Sequence, residues 1–201
     1  FEIDERLIKN LKEQFPHTAV ICDDILKVDW GKELNENIKI VSNLPYQITS
    51  PFLFKVAKFA EKIDKTVVMI QREVADRIVA KPGTKNYGIL SLKLQYFFDI
   101  KYLFGVKRHL FIPVPNVDSA VISLTSRSDK PEIENLKLFW KIVELSFRNR
   151  RKMLRKNLRQ IIANDKIPEI AKDSKIDLKR RGESLSEEEF IILYRSVKSF
   201  L

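Results

Sequence analysis

Residues 38–46 read Ile-Lys-Ile-Val-Ser-Asn-Leu-Pro-Tyr, and this stretch constrains the fold more than any other. Residues 38–41 form a short apolar run, which is typical of a strand buried in a helix-covered parallel sheet. Asn43-Leu44-Pro45-Tyr46 then breaks that run with polar and turn-forming residues. In open parallel sheets, ligand groups bind at the carboxyl ends of strands, so this tetrapeptide stands where a site is expected.

Similar apolar runs occur on both sides of this stretch. Residues 19–22 and 66–70 are predicted strands, buried on both faces, and residues 72–80 are a predicted helix. Asp4 is predicted to cap a further helix that follows it. Strands that alternate with helices indicate right-handed crossovers and a mainly parallel sheet. Residues 100–106 and 117–125 are joined by a link too short to hold a crossover helix, so they are predicted to form an antiparallel pair that closes the sheet.

The chain changes character after Ser126. A polar linker is followed by residues with helical periodicity, and Ser186 with Glu189 forms a predicted capping box. We therefore expect an α/β domain over residues 1–127 and a small all-helical domain over residues 128–201. The helices predicted in the second domain cover residues 134–147, 150–164 and 186–199.

Composition narrows the class of protein. The 201 residues carry 37 Lys and Arg against 27 Asp and Glu, a net charge of +10, yet the first 50 residues hold 6 bases and 9 acids. This asymmetry suits a protein that binds a polyanion on one side and keeps a different site on the other, although a solvated lysine-rich surface is the simpler alternative. The single Cys22 excludes a disulfide framework and a multi-thiolate zinc site. No apolar run approaches the ~20 residues of a membrane span, so we expect a cytoplasmic protein.

The tetrapeptide at residues 43–46 has a coherent chemistry. The exocyclic amine of a purine is a poor nucleophile, because its lone pair is delocalised into the ring. The side-chain oxygen of Asn43 and the main-chain carbonyl of Leu44 can accept its two N–H bonds and favour a pyramidal nitrogen. Pro45 stiffens the turn, and Tyr46 offers a face on which an extruded base can stack. The alternative is that these residues form only a turn.

Asn-Leu-Pro-Tyr resembles the motif of amino-directed N6-adenine methyltransferases. Three further segments narrow the resemblance to the ribosomal RNA adenine dimethyltransferases, and within them to the family that dimethylates two adjacent adenines near the 3′ end of small-subunit rRNA. Together the four segments span nearly the whole chain. The three begin at Glu2 (Glu-Ile-Asp-Glu-Arg-Leu), Phe111 (Phe-Ile-Pro-Val-Pro-Asn-Val-Asp-Ser-Ala-Val) and Phe147 (Phe-Arg-Asn-Arg-Arg-Lys-Met-Leu-Arg-Lys-Asn-Leu).

The resemblance implies a Rossmann-like sheet that binds S-adenosylmethionine. It assigns Glu2 to the ribose hydroxyls and Asp24 to the adenine amine of this cofactor, with a shift to Asp23 left open. Asn43 would touch both the cofactor and the target amine. Phe111 resembles the segment that closes over the target base opposite Tyr46, and a core phenylalanine is the alternative. No metal is expected, since the sulfonium is already activated and catalysis is mostly positioning.

A dense basic run is predicted to bind the RNA. Residues 148–159 hold seven bases and no acid, and this density favours an external polyanion such as rRNA phosphate. Helical spacing would set Arg148, Lys152, Arg155 and Arg159 along one side. A membrane surface is the rival partner, but the bases surround the predicted helix and no broad aromatic face accompanies them, so no membrane partner is expected. The seven are Arg148, Arg150, Arg151, Lys152, Arg155, Lys156 and Arg159.

The sequence thus predicts a monomeric enzyme that acts on small-subunit rRNA or a precursor of the 30S subunit. Two alternatives stay open: a methyltransferase of the large-subunit, antibiotic-resistance type, and a non-catalytic assembly factor that keeps the fold. The five glycines form no Gly-x-Gly. We therefore expect the first strand and the glycine-rich cofactor loop to lie upstream of Phe1.

Overall fold

Four strands form a single mixed sheet in the order β1-β2-β4-β3, as described for all 201 residues in a computed structural model. The pair β1–β2 is parallel, with Val41 opposite Val67. The pairs β2–β4 and β3–β4 are antiparallel. The α/β class and the antiparallel pairing of the last two strands are confirmed. The strands are β1 (Ile38–Asn43), β2 (Ile63–Gln71), β3 (Phe98–Val106) and β4 (Ser119–Ser126).

Nine α-helices and their connecting loops make up most of the remainder of the chain. Helices α3 and α4 follow β1 and β2 directly, and everything after β4 is helix or connecting loop. No helix is long and apolar enough to cross a membrane. The helices are α1 (Glu5–Gln14), α2 (Trp30–Glu33), α3 (Thr49–Lys58), α4 (Arg72–Ile78), α5 (Ile89–Phe97), α6 (Leu136–Arg148), α7 (Leu154–Leu158), α8 (Ile167–Ser174) and α9 (Glu187–Ser199).

One continuous core links the sheet to the C-terminal helices. Val68 of β2 and Ile122 of β4 are fully buried, as are Val56 of α3, Phe139 of α6 and Leu193 of α9, and all belong to one apolar cluster. Full burial of each such side chain stabilises the fold by about 1.5–3 kcal/mol relative to exposure. This shared apolar core supports the sheet and fixes the position of the carboxyl ends of β1 and β2.

Local signals place the helix ends where the sequence predicts them. The Asp4 side chain accepts from the main-chain N–H of Arg6 and caps α1. The reciprocal bonds of the capping box form between Ser186 and Glu189 at the start of α9. Such a cap is worth about 1 kcal/mol. Both predicted caps are confirmed, because each depends only on residues within one helical turn.

Two predicted strands differ from the structure in their burial. Residues 19–22 form no regular strand, pair only through a parallel bridge between Glu2 and Cys22, and are largely exposed. Strand β1 forms, but it pairs with β2 alone, and its Val41 is 83 % exposed. The prediction of burial on both faces is thus wrong for both segments, since no element of this chain covers the face of β1 that carries Val41. Cys22 is likewise exposed.

The predicted helix over residues 150–164 is wrong. Helix α6 ends at Arg148, and only Leu154–Leu158 is helical in the basic run. The main-chain N–H of Leu154 donates to the carbonyl of Arg180, and that of Arg155 donates to Leu178. These long-range bonds, together with burial of Leu154 and Leu158, hold the segment as one short helix between bends. The bases of the run therefore do not share one long helical face.

A close contact at Gly182 leads to a prediction about the stability of the fold. A Cβ added at Gly182 would lie 2.5 Å from the main-chain oxygen of Ser146, whereas one added at Gly88 would meet nothing within 4 Å. Gly182→Ala must therefore displace α6 or the loop before α9, and we expect it to lower the free energy of unfolding by about 1–3 kcal/mol. Gly88→Ala, the matched control, meets no atom and should change it by less than about 1 kcal/mol, because the weaker N-cap preference of Ala is partly offset by the lower entropy of the unfolded chain. Chemical denaturation of both variants measures this, and equal stabilities would contradict the packing.

Candidate functional site

The tetrapeptide at residues 43–46 lies at the carboxyl end of β1. Leu44 is buried, and its N–H donates to the carbonyl of Met69 at 3.3 Å, which extends the pairing with β2 by one residue. Asn43 is exposed. Neither the side-chain oxygen of Asn43 nor the carbonyl of Leu44 accepts a hydrogen bond within the chain. Both acceptors therefore lack a partner within the chain, and each is free to bind a ligand N–H.

Strand β4 holds the Tyr46 ring. The hydroxyl of Tyr46 lies 2.8 Å from Oγ of Ser119, which is buried at the start of β4. Pro45 has φ −55°, and the N–H of Ile48 donates to its carbonyl, so the turn into Tyr46 is closed. Ser119 is 73 residues away in sequence, and the motif alone did not identify it. This bond orients the aromatic face that the sequence assigns to base stacking.

One cleft brings the tetrapeptide together with the segment before β4. Its volume is about 350 Å³, and its lining includes Phe111, Pro113 and Pro115 as well as Tyr46. The structure thus places Phe111 in the same cleft as Tyr46. That Phe111 stacks on a base stays a prediction, and the alternative of a fully buried core phenylalanine does not describe its half-buried side chain.

A second cavity, of about 550 Å³, opens on the other side of the same tetrapeptide. Glu2, Asp24 and Asn43 all line it, so the three residues predicted to bind the cofactor surround one space. Asn43, Leu44 and Pro45 line both cavities. A group bound in one cavity can therefore meet a group bound in the other at Asn43.

The two carboxylates in this cavity are already oriented. Oε1 of Glu2 accepts from the N–H groups of Ile3 and Asp4, both at 2.8 Å. Oδ1 of Asp24 accepts from the N–H of Leu26 at 2.9 Å. Oε2 of Glu2 has no partner within the chain, and Oδ2 of Asp24 has only the exposed ammonium of Lys27 at 4.0 Å, so both oxygens can accept from a donor in the cavity. Asp23 lines the cavity as well, so the alternative assignment of Asp24's role to Asp23 stays open.

A lysine from α3 supports the Asp24 loop. Nζ of Lys55 donates to the carbonyls of Ile25, Leu26 and Val28 at 2.9, 2.8 and 2.5 Å, which uses all three of its N–H bonds. Its pKa is lowered, mainly by desolvation. Trp30 donates to the carbonyl of Ile25 as well. Lys55 therefore fixes one wall of the cavity, a role that periodicity along the chain does not reveal.

Comparison with known proteins agrees with this arrangement. The family model described as ribosomal RNA adenine dimethylase matches residues 1–197. This chain belongs to the ribosomal RNA adenine dimethylase family. It is 44 % identical over 203 residues to the ribosomal RNA small subunit methyltransferase A of Clostridioides difficile (strain 630), covering 96 % of this chain and 70 % of that protein. The protein of the same name from Enterococcus faecalis is 41 % identical over 213 residues, covering 98 % of this chain and 72 % of that protein.

Solved structures show the same fold. A dimethyladenosine transferase from Plasmodium falciparum superimposes with a TM-score of 0.76 at 22 % identity, over 96 % of this chain and 78 % of that one. The 23S rRNA methyltransferase ErmE gives a TM-score of 0.71 at 25 % identity, over 98 % of this chain and 80 % of that one. The Rossmann-like arrangement of this adenine dimethylase is thereby confirmed.

Membership in a methyltransferase family implies S-adenosylmethionine as the methyl donor, and the residues of the larger cavity fit it. Ribose hydroxyls and an adenine amine are hydrogen-bond donors, and Glu2 and Asp24 present acceptor oxygens to them. Apolar side chains such as Ile25 and Ile40 line the rest of the wall, which suits an adenine ring. In the described chain, no group of three or more His, Cys, Asp or Glu side chains is arranged to hold a metal ion.

The basic run does not form one continuous helical face, but its exposed side chains still give a positive surface. Arg151, Lys152, Lys156 and Arg159 are exposed, and Arg155 is half-buried. The main-chain bonds of residues 154 and 155 to residues 180 and 178 place the exposed bases Lys179 and Arg181 next to this run. These two were not predicted from sequence, because the contact that brings them there is long-range.

Two of the seven predicted RNA-binding bases have internal partners. The guanidinium of Arg150 donates to Glu183 at 2.6 Å and to the carbonyls of Lys85 and Tyr87. Arg148 donates to the side-chain oxygen of Gln160 at 2.9 Å. Arg150 thus ties the C-terminal helices to the loop before α5. Its role in RNA binding stays a prediction, as do the roles of the other six.

Proposed function

We propose that this chain transfers methyl groups from S-adenosylmethionine to N6 of two adjacent adenines near the 3′ end of small-subunit rRNA, twice on each adenine. The observation that carries the proposal is the meeting of two cavities at residues 43–45, one lined by Glu2 and Asp24 and the other by Tyr46 and Phe111. A cofactor and an extruded base can occupy the two cavities and face one another across Asn43.

The chemical role of this chain is to hold the amine. In the proposed complex, Oδ1 of Asn43 and the carbonyl of Leu44 accept the two N–H bonds of the adenine amine, which draws its lone pair out of conjugation. When bound, the cofactor supplies an activated methyl group on a sulfonium. Tyr46, oriented by Ser119, stacks on one face of the base and Phe111 lies on the other. Positioning of this kind supplies much of the rate enhancement in displacement reactions.

The same geometry bears on the second transfer to each adenine. After one methylation the amine keeps a single N–H bond, so only one of the two acceptors at Asn43 and Leu44 remains bonded to it. The face of Tyr46 and the cleft of about 350 Å³ then carry a larger share of the positioning. The cleft must also accept the first methyl group, for which its apolar lining by Met69 and Pro113 is suited.

The proposed substrate is the small-subunit rRNA or a 30S precursor, rather than the large-subunit rRNA. The two relatives that are 44 % and 41 % identical carry small-subunit names, whereas the 23S rRNA methyltransferase is 25 % identical. The alternative of a non-catalytic assembly factor is less favoured. Such a factor would need neither the exposed Asn43 nor the unbonded carbonyl of Leu44.

The domain division is part of the proposal. Strand β4 ends at Ser126, and no strand follows it, which supports a boundary between residues 127 and 128. The apolar core runs through both parts, so we propose that they act as one body when RNA binds. We further propose a monomer in the cytoplasm that uses the residues of the 148–159 run for phosphate contacts.

Mass spectrometry of small-subunit rRNA tests the proposed function. In cells that lack the protein, we expect the fragment with the two adjacent adenines to lose the mass of four methyl groups, since two are added to each adenine. Re-expression of the protein should restore them, and re-expression of an Asn43→Ala variant should not. A fully methylated fragment in the cells that lack the protein would overturn the proposal, and restoration by the Asn43→Ala variant would favour a non-catalytic assembly role.

A further inference from the structure

The segment of residues 110–115 presents two different faces. Its alternate residues Phe111, Pro113 and Pro115 line the cleft that contains Tyr46. Three aliphatic residues of the same segment form its outer face: Leu110 is 67 %, Ile112 is 100 % and Val114 is 59 % exposed. The inner face belongs to the cleft already described, and the outer face has no partner within the chain.

The outer face exposes apolar side chains to water, and hydrogen bonds fix the base of the loop that carries it. Three exposed aliphatic side chains in five residues form an apolar patch, and such patches on a protein surface mark sites of interaction. Asp118 closes the base of the loop: it accepts from the N–H of Arg108 at 3.1 Å and from Nζ of Lys107 at 3.4 Å. The pKa of Asp118 is lowered, chiefly by the bond from Arg108. The loop therefore presents its apolar side chains from a fixed base.

We propose that Leu110, Ile112 and Val114 form an apolar wedge that packs against the bases flanking the extruded adenine and fills the gap it leaves in the RNA stack. The proposal rests on the proposed function, because it needs a base in the cleft. Ile112 connects the wedge to the cleft, because it is fully exposed and also lines the cleft. Insertion of apolar side chains between bases is a general way to stabilise an unstacked nucleic acid.

The surroundings favour RNA as the partner of this wedge. Lys107 and Arg108 lie three and two residues before Leu110, and both stay exposed although Lys107 pairs with Asp118 and Arg108 donates to the carbonyl of Asn116. Cations for the flanking phosphates therefore lie near the apolar side chains. A second copy of this chain would bring a net charge of +10 toward another +10, which opposes association. The wedge also adjoins the cleft proposed for the base, so an RNA whose adenine enters the cleft must pass over it.

The test uses fluorescence of an RNA hairpin with 2-aminopurine next to the target adenines. This base brightens when it loses its stacked neighbour. We compare the unaltered protein, the double variant Ile112→Ser/Val114→Ser, and the control Ile192→Ser, which alters an exposed isoleucine on α9. All are measured at saturating protein, so that the signal reports the bound RNA and not the affinity.

We expect the double variant to lose at least half of the fluorescence increase, because the adenine returns to the stack in part of the complexes. Its dissociation constant for the hairpin should rise about five- to tenfold. The control should match the unaltered protein in both. An unchanged fluorescence increase in the double variant would overturn the wedge, and so would self-association of the unaltered protein that the double variant abolishes in sedimentation.

Failure of the wedge and failure of the proposed function give different results. If the unaltered protein methylates the hairpin and the double variant gives the same fluorescence, the wedge is wrong and the proposed function stands. If the unaltered protein neither methylates the hairpin nor changes its fluorescence, the base extrusion on which both depend is wrong. A fluorescence increase lost only in the double variant supports the wedge.

Discussion

Asn43→Ala should lower the rate of methyl transfer by about 10²–10³-fold, the effect typical of removing one hydrogen-bonding group from a preorganised catalytic site. Alanine removes the side-chain oxygen that accepts from the target amine and leaves only the carbonyl of Leu44. Asn43 is exposed at the end of β1 and accepts no hydrogen bond within the chain, so the fold should not change. Transfer of labelled methyl groups to rRNA measures the rate.

The affinity for RNA separates this effect from a general loss of function. Because Asn43 lies far in sequence from the basic run and, in the proposed complex, contacts the cofactor and the amine of the extruded base but no phosphate, we expect the dissociation constant for RNA to stay within about twofold. Asn10→Ala, which alters an exposed residue of α1, is the matched control and should change neither quantity. Parallel losses of methyl transfer and RNA binding in Asn43→Ala would argue that Asn43 supports the structure and not the reaction.

The features that sequence predicts well are local ones. The tetrapeptide at residues 43–46 follows a strand, the caps at Asp4 and Ser186 form, and β3 and β4 pair in an antiparallel manner. Each of these depends on residue types within a few positions, where propensity and hydrogen bonding act directly. Motif order then placed Glu2, Asp24 and Asn43 together, and the structure brings all three to one cavity.

The features that sequence missed depend on long-range contacts. Ser119 orients Tyr46 from 73 residues away, and Lys55 reaches the carbonyls of the Asp24 loop from a different helix. Periodicity does not show such bonds, because they connect elements that are distant in the chain. The 150–164 segment illustrates the converse: its composition favours a helix, and main-chain bonds to Leu178 and Arg180 override that preference.

Because the basic run is bent and not a single helix, its role in RNA binding is best tested on bases without internal partners. Arg151, Lys152 and Arg155 make no side-chain hydrogen bond or ion pair within the chain, unlike Arg150. Changing all three to Gln should weaken RNA binding roughly 10–100-fold at moderate salt. Each phosphate contact contributes about 0.7–0.9 to the slope of log K against log salt, so the slope should flatten by about 2–3.

A matched triple variant distinguishes phosphate contact from overall charge. Lys9, Lys12 and Lys32 lie on α1 and α2, and changing them to Gln lowers the net charge of the chain by the same three units, from +10 to +7. If the basic run contacts phosphate directly, only the first variant flattens the salt slope. The net charge of the chain acts at long range: it changes the association rate, and salt screens it beyond about 10 Å. Equal slopes for the two variants would mean that the run acts only through the net charge, and a slope unchanged from that of the unaltered protein would refute the phosphate contacts. Thermal unfolding of both variants shows whether either change disturbs the fold. Substitutions of exposed residues with few internal contacts usually alter stability by no more than about 0.5 kcal/mol each, so a larger loss would indicate a disturbed fold.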